Sequence, residues 1–116
     1  MSYEKIILVG NLGETPERRT GKDGQPVTSF SVAVNTRRGG QEVTTWYRVT
    51  AWNATAEHVV AYLKKGSQVL VEGIHLRVSA YLGKDGQPHA SLELTADRVI
   101  FLDRAPDEEA EEDLPL

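Results

Sequence analysis

The residues best placed to do chemistry in this 116-residue chain lie in one segment, Thr45–Trp52. Alternate residues of a strand share a face, so Trp46, Arg48 and Trp52 would lie together, with the apolar residues between them turned to a core. Such a face suits single-stranded nucleic acid, because every base can stack on an aromatic ring. The alternative is that both rings pack against a helix or a partner subunit, which would bury Arg48 at a cost unless it has partners.

The segment near 67–81 also has a polar and basic outer face, but its alternation of apolar and polar residues changes phase partway along. Val69 and Val71 are apolar at odd positions, whereas the apolar positions beyond Glu72-Gly73 are even, which predicts a β-bulge there. This outer face suits nucleic-acid binding, or is an ordinary solvated strand face. Its residues beyond the bulge are His75, Arg77, Ser79 and Tyr81.

The strand before Thr45 ends in a basic tip. Phe30, Val32 and Val34 alternate toward the interior, and Arg37 and Arg38 stand beside two glycines. A flexible basic tip is suited to tracking phosphates, although two arginines in a loop are also common elsewhere.

Turn dipeptides and β-branched runs predict the elements that carry these residues. The expected strands lie near 3–10, 27–37, 44–52, 67–81 and 89–102. An apolar face at Ala56, Val59 and Leu63 predicts a helix over 54–65, between the third and fourth strands, with Asn53 as its N-cap. This order is that of an all-β, five-stranded Greek-key OB-fold barrel, a fold that binds oligonucleotides or oligosaccharides.

The hexapeptide Gly-Lys-Asp-Gly-Gln-Pro occurs twice, at 21–26 and at 83–88. Asp-Gly is a strong turn dipeptide, so both copies are predicted to form hairpin tips. Each tip would carry a lysine.

Charge is unevenly distributed along the chain, whose formal net charge is −4. Residues 107–116 hold six acidic and no basic residues, which leaves +2 on residues 1–106. We therefore expect one domain over 1–106 and a disordered acidic tail over 107–116.

Several classes of protein are excluded by what the composition lacks. Without cysteine there is no disulfide framework and no thiolate metal site, and we expect neither metal nor cofactor. No apolar run approaches the roughly 18 residues of a membrane span, and the start lacks a signal-peptide layout. We therefore expect a cytoplasmic protein without a membrane partner.

Catalysis has little support in the sequence. The histidines, His58, His75 and His89, fall on three different elements and lack metal-ligand spacing. No nucleophile elbow, phosphate-binding loop or dinucleotide fingerprint occurs. We expect no catalytic residues and no enzyme.

Several linked motifs, in order over nearly all of 1–102, make the chain resemble the bacterial single-stranded DNA-binding protein family. They are Lys5–Gly13, Pro16–Arg19, Thr45–Val49, Tyr62–Val69 and Val71–Gly73. The resemblance implies an OB-fold that assembles as a homotetramer. It also implies a nucleoid-associated protein that binds single-stranded DNA with little sequence preference in replication, recombination and repair.

The resemblance also implies roles for particular residues. Trp46, Trp52 and Tyr81 fall at or near base-stacking positions, and Arg38 stands where many members carry an aromatic residue. Basic positions expected along the DNA path are Lys5, Arg48, Lys65 and Arg77.

The acidic end resembles the family's partner-docking tail, which recruits replication and repair enzymes. It closes with Asp113, Leu114, Pro115 and Leu116, where the family ends in phenylalanine, and the long linker before the tail is absent. An alternative reading is an OB-fold adaptor of the primosome type, or a shortened paralogue that acts mainly as a protein-interaction module.

Overall fold

The computed structural model describes residues 1–102, which form six strands and one helix. In chain order these are β1 Ile6–Leu12, β2 Glu17–Thr20, β3 Pro26–Arg38, β4 Gln41–Trp52, α1 Asn53–Tyr62, β5 Gln68–Leu82 and β6 Pro88–Phe101. No helix in this range has the length and hydropathy needed to cross a membrane. The predicted tail over 107–116, with Asp113, Leu114, Pro115 and Leu116, lies outside the described residues.

Five of the strands close into a barrel. They pair in the order β1-β5-β6-β4-β3, and β1 returns to β3 through Asn11 opposite Ala33 and Leu12 opposite Val32. The β4–β6 pair is parallel and the others are antiparallel. Gly10 permits the closure, since a β-carbon there would overlap the carbonyl oxygen of Ala33. The predicted five-stranded OB-fold is confirmed.

Strand alternation fills the barrel with apolar side chains, as predicted for β3 and β4. The helix closes one end of the barrel, where the Thr28 hydroxyl donates a hydrogen bond to the Ala56 carbonyl oxygen (3.1 Å). The buried cluster comprises Leu8, Leu12, Phe30, Val32, Val49, Ala51, Ala56, Val59, Leu63, Val69, Val71 and Leu94.

Three expectations about the elements need correction. Strand β2 was not predicted, because all four of its residues are exposed and show no alternation. The helix ends at Tyr62 rather than at 65. Asn53 is not the N-cap: Trp52 holds that position without a side-chain hydrogen bond, and Asn53 has φ 55°. Since β4 runs directly into α1, the sharp change of direction falls on Asn53, a residue type that tolerates the left-handed region.

The predicted irregularity in β5 is confirmed and a second one is added. The register with β6 shifts between Glu72 and Gly73, and again between Ile74 and Arg77. His75, inside the second shift, has φ 56°. Nothing in the sequence indicated this second bulge, because positive φ is uncommon in any residue other than glycine.

The two hexapeptides at 21–26 and 83–88 form hairpin tips of the same structure, as predicted. In each copy the first glycine donates its N–H to the glutamine carbonyl oxygen (2.7 and 2.9 Å). The second glycine has φ 79° in one copy and 77° in the other. Positive φ at this position favours glycine, so a substitution there would strain the tip.

Candidate nucleic-acid interface

The outer face of β4 carries both tryptophans in partly exposed positions. Trp46 is 54% exposed and Trp52 is 42% exposed, whereas Val49 and Ala51 on the opposite face are fully buried. The expected division of β4 into a core face and an aromatic face is confirmed. Arg48 lies exposed between the two rings.

Strand register brings residues from four strands to this same face. Arg77 of β5 lies opposite Glu93 of β6, Glu93 lies beside Arg48 of β4, and Arg48 lies opposite Ser31 of β3. Tyr81 follows Arg77 on the same side of β5 by alternation. The predicted candidates on β4 and β5 therefore belong to one continuous surface.

Three adjoining depressions run along this surface, and we call them together the binding groove. The first, of about 540 Å³, includes Arg19, Lys22 and Trp52 in its wall. The second, of about 150 Å³, shares Arg19 with the first and adds Arg48. The third, also of about 150 Å³, shares Arg48 and is lined by Trp46 and Tyr81. Aromatic rings thus stand at both ends of the groove, and cations lie between them.

Two glycines lie against the tryptophan rings, and Gly13 leaves room for the ring of Trp46. A β-carbon at Gly13 would overlap the six-membered ring of Trp46, and one at Gly21 would lie 3.4 Å from the ring of Trp52. The backbone N–H of Gly13 donates to the Ser31 carbonyl oxygen (3.0 Å), which fixes the loop against β3. Each ring therefore packs one edge or face on a loop and leaves the rest exposed.

Two cations of the groove, Arg48 and Arg19, have polar partners. Arg48 Nη1 donates to Glu14 Oε1 at 2.6 Å and to the Ser31 hydroxyl at 3.2 Å. Arg19 donates to the Ser29 hydroxyl at 3.0 Å. These contacts hold two guanidinium groups in the groove, with Arg48 about half exposed.

Tyr81 belongs to a small ring stack at the end of the β5–β6 hairpin. Its ring lies 5.5 Å from that of His89, with an interplanar angle of 23°. His89 Nε2 lies 3.2 Å from Asp85 Oδ1, which also accepts the Gln87 backbone N–H at 2.9 Å. The hydrogen bond from the Gln87 backbone N–H is the larger cause that lowers the pKa of Asp85, and the contact with His89 is the second cause.

Lys5 lies apart from the groove. Its ammonium is 3.2 Å from Glu72 and 3.6 Å from Asp97, and the hydrogen bond to Glu72 raises the pKa of Lys5. Arg98 contacts the same Glu72 at 3.6 Å. This ion cluster lies on the outer face of β1, β5 and β6.

The other predicted cations lie toward the margins. By alternation Arg37 shares the side of β3 that carries Ser31, whereas Arg38 points to the other side. Lys65 lies in the turn after α1, where its backbone N–H donates to the hydroxyl of Thr15, a residue of the second depression.

The charged residues of the groove that sequence reasoning missed include Glu14, Arg19 and Lys22. Arg19 lies on the unpredicted β2, and Glu14 lies in the loop before it. Lys22 was visible as the lysine of the first hexapeptide, but only its position beside Trp52 assigns it to the groove. Within residues 1–102, no three His, Asp or Glu side chains come together to hold a metal ion.

Comparison with known protein families matches residues 3–102 of the chain to the single-strand binding protein family. A single-stranded DNA-binding protein of Chlamydia muridarum is 39% identical over 94 residues, covering 81% of this chain and 59% of that relative. One of Thermotoga maritima is 37% identical over 122 residues, covering 98% and 86%. The chain thus spans less than two thirds of the length of the Chlamydia relative.

A solved structure of the Plasmodium falciparum SSB complex with ssDNA has a similar fold. Its TM-score is 0.71 at 28% identity, and the match covers 89% of this chain and 97% of that one.

We predict that the Asp85 carboxyl titrates below its ordinary range. Its contacts with Gln87 and His89 lower its pKa. They therefore stabilise the hairpin above the ordinary carboxyl pKa and are lost as the pH falls through the lowered one. An NMR titration of the Asp85 carboxyl carbon should give a midpoint below that of an unstructured aspartate.

The variant His89→Ala is the control for this titration. It should raise the midpoint only in part, because the Gln87 N–H remains. A midpoint at the unstructured value in the native chain contradicts the assignment.

Proposed function

The chain belongs to the single-strand binding protein family, and we propose that it binds single-stranded DNA with little sequence preference. In this role it would cover and protect single strands during replication, recombination and repair. The proposed activity is binding without catalysis, in the cytoplasm and on the nucleoid.

The arrangement of aromatic and basic side chains in the groove supports this proposal. Trp52 stands at one end and Trp46 and Tyr81 at the other, with Arg19 and Arg48 between them. Bases can stack on the rings regardless of sequence, while the guanidinium groups pair with phosphates. A groove of this kind selects flexible single strands, because the bases of a duplex are already stacked and paired.

We predict that Trp46→Ala and Trp52→Ala each weaken the binding of oligothymidylate. Each removes one stacking platform, which contributes about 1–3 kcal/mol. Each variant retains one tryptophan, so the remaining fluorescence reports the titration. Affinity should also fall with added salt, because phosphate contacts release counterions.

The matched control is Tyr62→Ala. Tyr62 is an exposed ring, at 72%, that packs 6.0 Å from Phe101 and not in the groove. Its removal should leave the affinity unchanged. Unchanged tryptophan emission of the native chain at low salt, in excess oligothymidylate, contradicts the proposed function.

We further propose that the protein is a homo-oligomer, a tetramer as the family resemblance implies. Its support is an apolar surface on the outside of the barrel. Ile7 is 63% exposed and Val9 is 46% exposed, and Val9 lies in register with Leu70 and Ile100 of the next two strands. Exposed apolar side chains that are contiguous mark association surfaces.

Ile7→Lys should lower the mass in solution, because a charge on this surface must be desolvated on association. Sedimentation velocity measures the mass, and Ile7→Leu, which keeps the apolar character, should leave it unchanged. A single-chain mass for the native protein at micromolar concentration contradicts the assembly.

The tail is proposed to dock replication and repair enzymes through Asp113, Leu114, Pro115 and Leu116. The alternative function is an OB-fold adaptor whose main activity is this docking. Measured affinities for oligothymidylate and for a replication or repair enzyme of the same cell discriminate the two.

We predict that replacing Leu114 and Leu116 together with alanine abolishes capture of such an enzyme, since both apolar contacts are lost. The affinity for oligothymidylate should stay unchanged, and Ala110→Ser, in the same tail, serves as the control. Undiminished capture by the double variant contradicts tail docking.

A further inference from the structure

A carboxylate occupies the middle of the binding groove. Glu14 Oε1 lies 2.6 Å from Arg48 Nη1, the shortest ion pair within residues 1–102. The same oxygen accepts a hydrogen bond from the Ser31 hydroxyl at 3.3 Å. Ser31 in turn accepts from Arg48 Nη1 at 3.2 Å, so the three side chains form a closed triangle.

The bound oxygen of Glu14 stands where a phosphate oxygen would be held. Arg48 is the residue shared by the second and third depressions, so a strand that follows the groove passes over it. A guanidinium pairs with carboxylate and with phosphate through the same charge-assisted hydrogen bonds. The two anions therefore compete for one donor.

The pair is accessible enough to exchange. The side chain of Arg48 is 46% exposed and that of Glu14 is 51% exposed, and exposed ion pairs contribute little net free energy. A phosphate can displace the carboxylate without opening the core.

The loop that carries Glu14 does not depend on this ion pair. Gly13 is held through its backbone N–H to Ser31, and Thr15 accepts the backbone N–H of Lys65 at 3.2 Å. Pro16 is buried. Removal of the Glu14 charge should therefore leave the loop in place.

We propose that Glu14 is a built-in competitor of the DNA phosphate and limits the affinity of the groove. This inference rests on the proposed function, since it concerns the same site. Each binding event exchanges the carboxylate for a phosphate on Arg48. The exchange weakens binding, reduces its salt dependence and eases release of the strand.

The test is Glu14→Gln in the full chain, titrated with oligothymidylate at several salt concentrations. Glutamine keeps the oxygen acceptor and the size of the side chain while removing the charge. We expect affinity at low salt to rise roughly twofold to fivefold, the factor that corresponds to an exposed ion pair. The salt dependence should steepen by at most about 0.7 in log–log slope, the value for one phosphate on a single strand.

Glu14→Ala is the second variant, because glutamine can still hydrogen-bond to Arg48. It should tighten binding in the same direction. Thermal unfolding of both variants checks that the fold is intact.

Two controls separate exchange at Arg48 from a general change of charge. Glu17→Gln removes the same charge from the wall of the same depression and should tighten binding less. In an Arg48→Gln background, the gain from Glu14→Gln should fall to no more than that of Glu17→Gln, because no guanidinium is left to release.

The results of these titrations distinguish a failure of this inference from a failure of the proposed function. If the native chain binds oligothymidylate and Glu14→Gln binds equally or more weakly, the inference is overturned and Glu14 does not compete with the DNA phosphate. A gain from Glu14→Gln that persists undiminished without Arg48 also overturns it. If the native chain does not bind at all, the proposed function fails, and this inference fails with it.

Discussion

The two-residue alternation of β4 is the constraint on which both the core and the groove depend. Val49 and Ala51 are fully buried, and β4 pairs with β3 over twelve consecutive residues on one side and with β6 on the other. A slip of one residue would turn Trp46 and Trp52 into the barrel and expose the valine. Packing free energy in the core therefore fixes the direction of the tryptophans, and the binding surface needs no separate scaffold.

Two hairpin loops border the aromatic residues at the ends of the groove. The first hexapeptide borders Trp52 through Gly21, and the second lies next to the stack of Tyr81 on His89. Since both copies adopt the same backbone, the groove has a similar hairpin near each end, and each hairpin carries one lysine. Duplication of a stable turn is a simple way to build two ends of an extended site.

The sequence predicts those structural features that depend on residues close together in the chain, and it does not predict those that depend on the pairing of distant strands. The faces of β4, the hairpin tips and the apolar face of α1 depend on neighbours within a few residues, and these predictions were confirmed. The place of Arg19 depends on the pairing of β2 with β3, and β2 has no periodic pattern to reveal it. Asn53 was misassigned because a cap depends on the path of the chain as much as on residue type.

Local geometry also explains how a chain with an overall negative charge can carry a groove lined by basic residues. Arg48 lies between Glu14, at 2.6 Å, and Glu93, its neighbour in register, which is itself 3.7 Å from Arg77. Acidic and basic residues thus alternate across the sheet, so the field of the groove is moderate at a distance and strong only at contact. Under the proposed function, the binding of a single strand would then depend on stacking for much of its free energy and on exchangeable ion pairs for the remainder. Under the proposed function, a protein that covers single strands and later releases them would gain from that division, because ion pairs exchange one at a time while the rings still contact the bases.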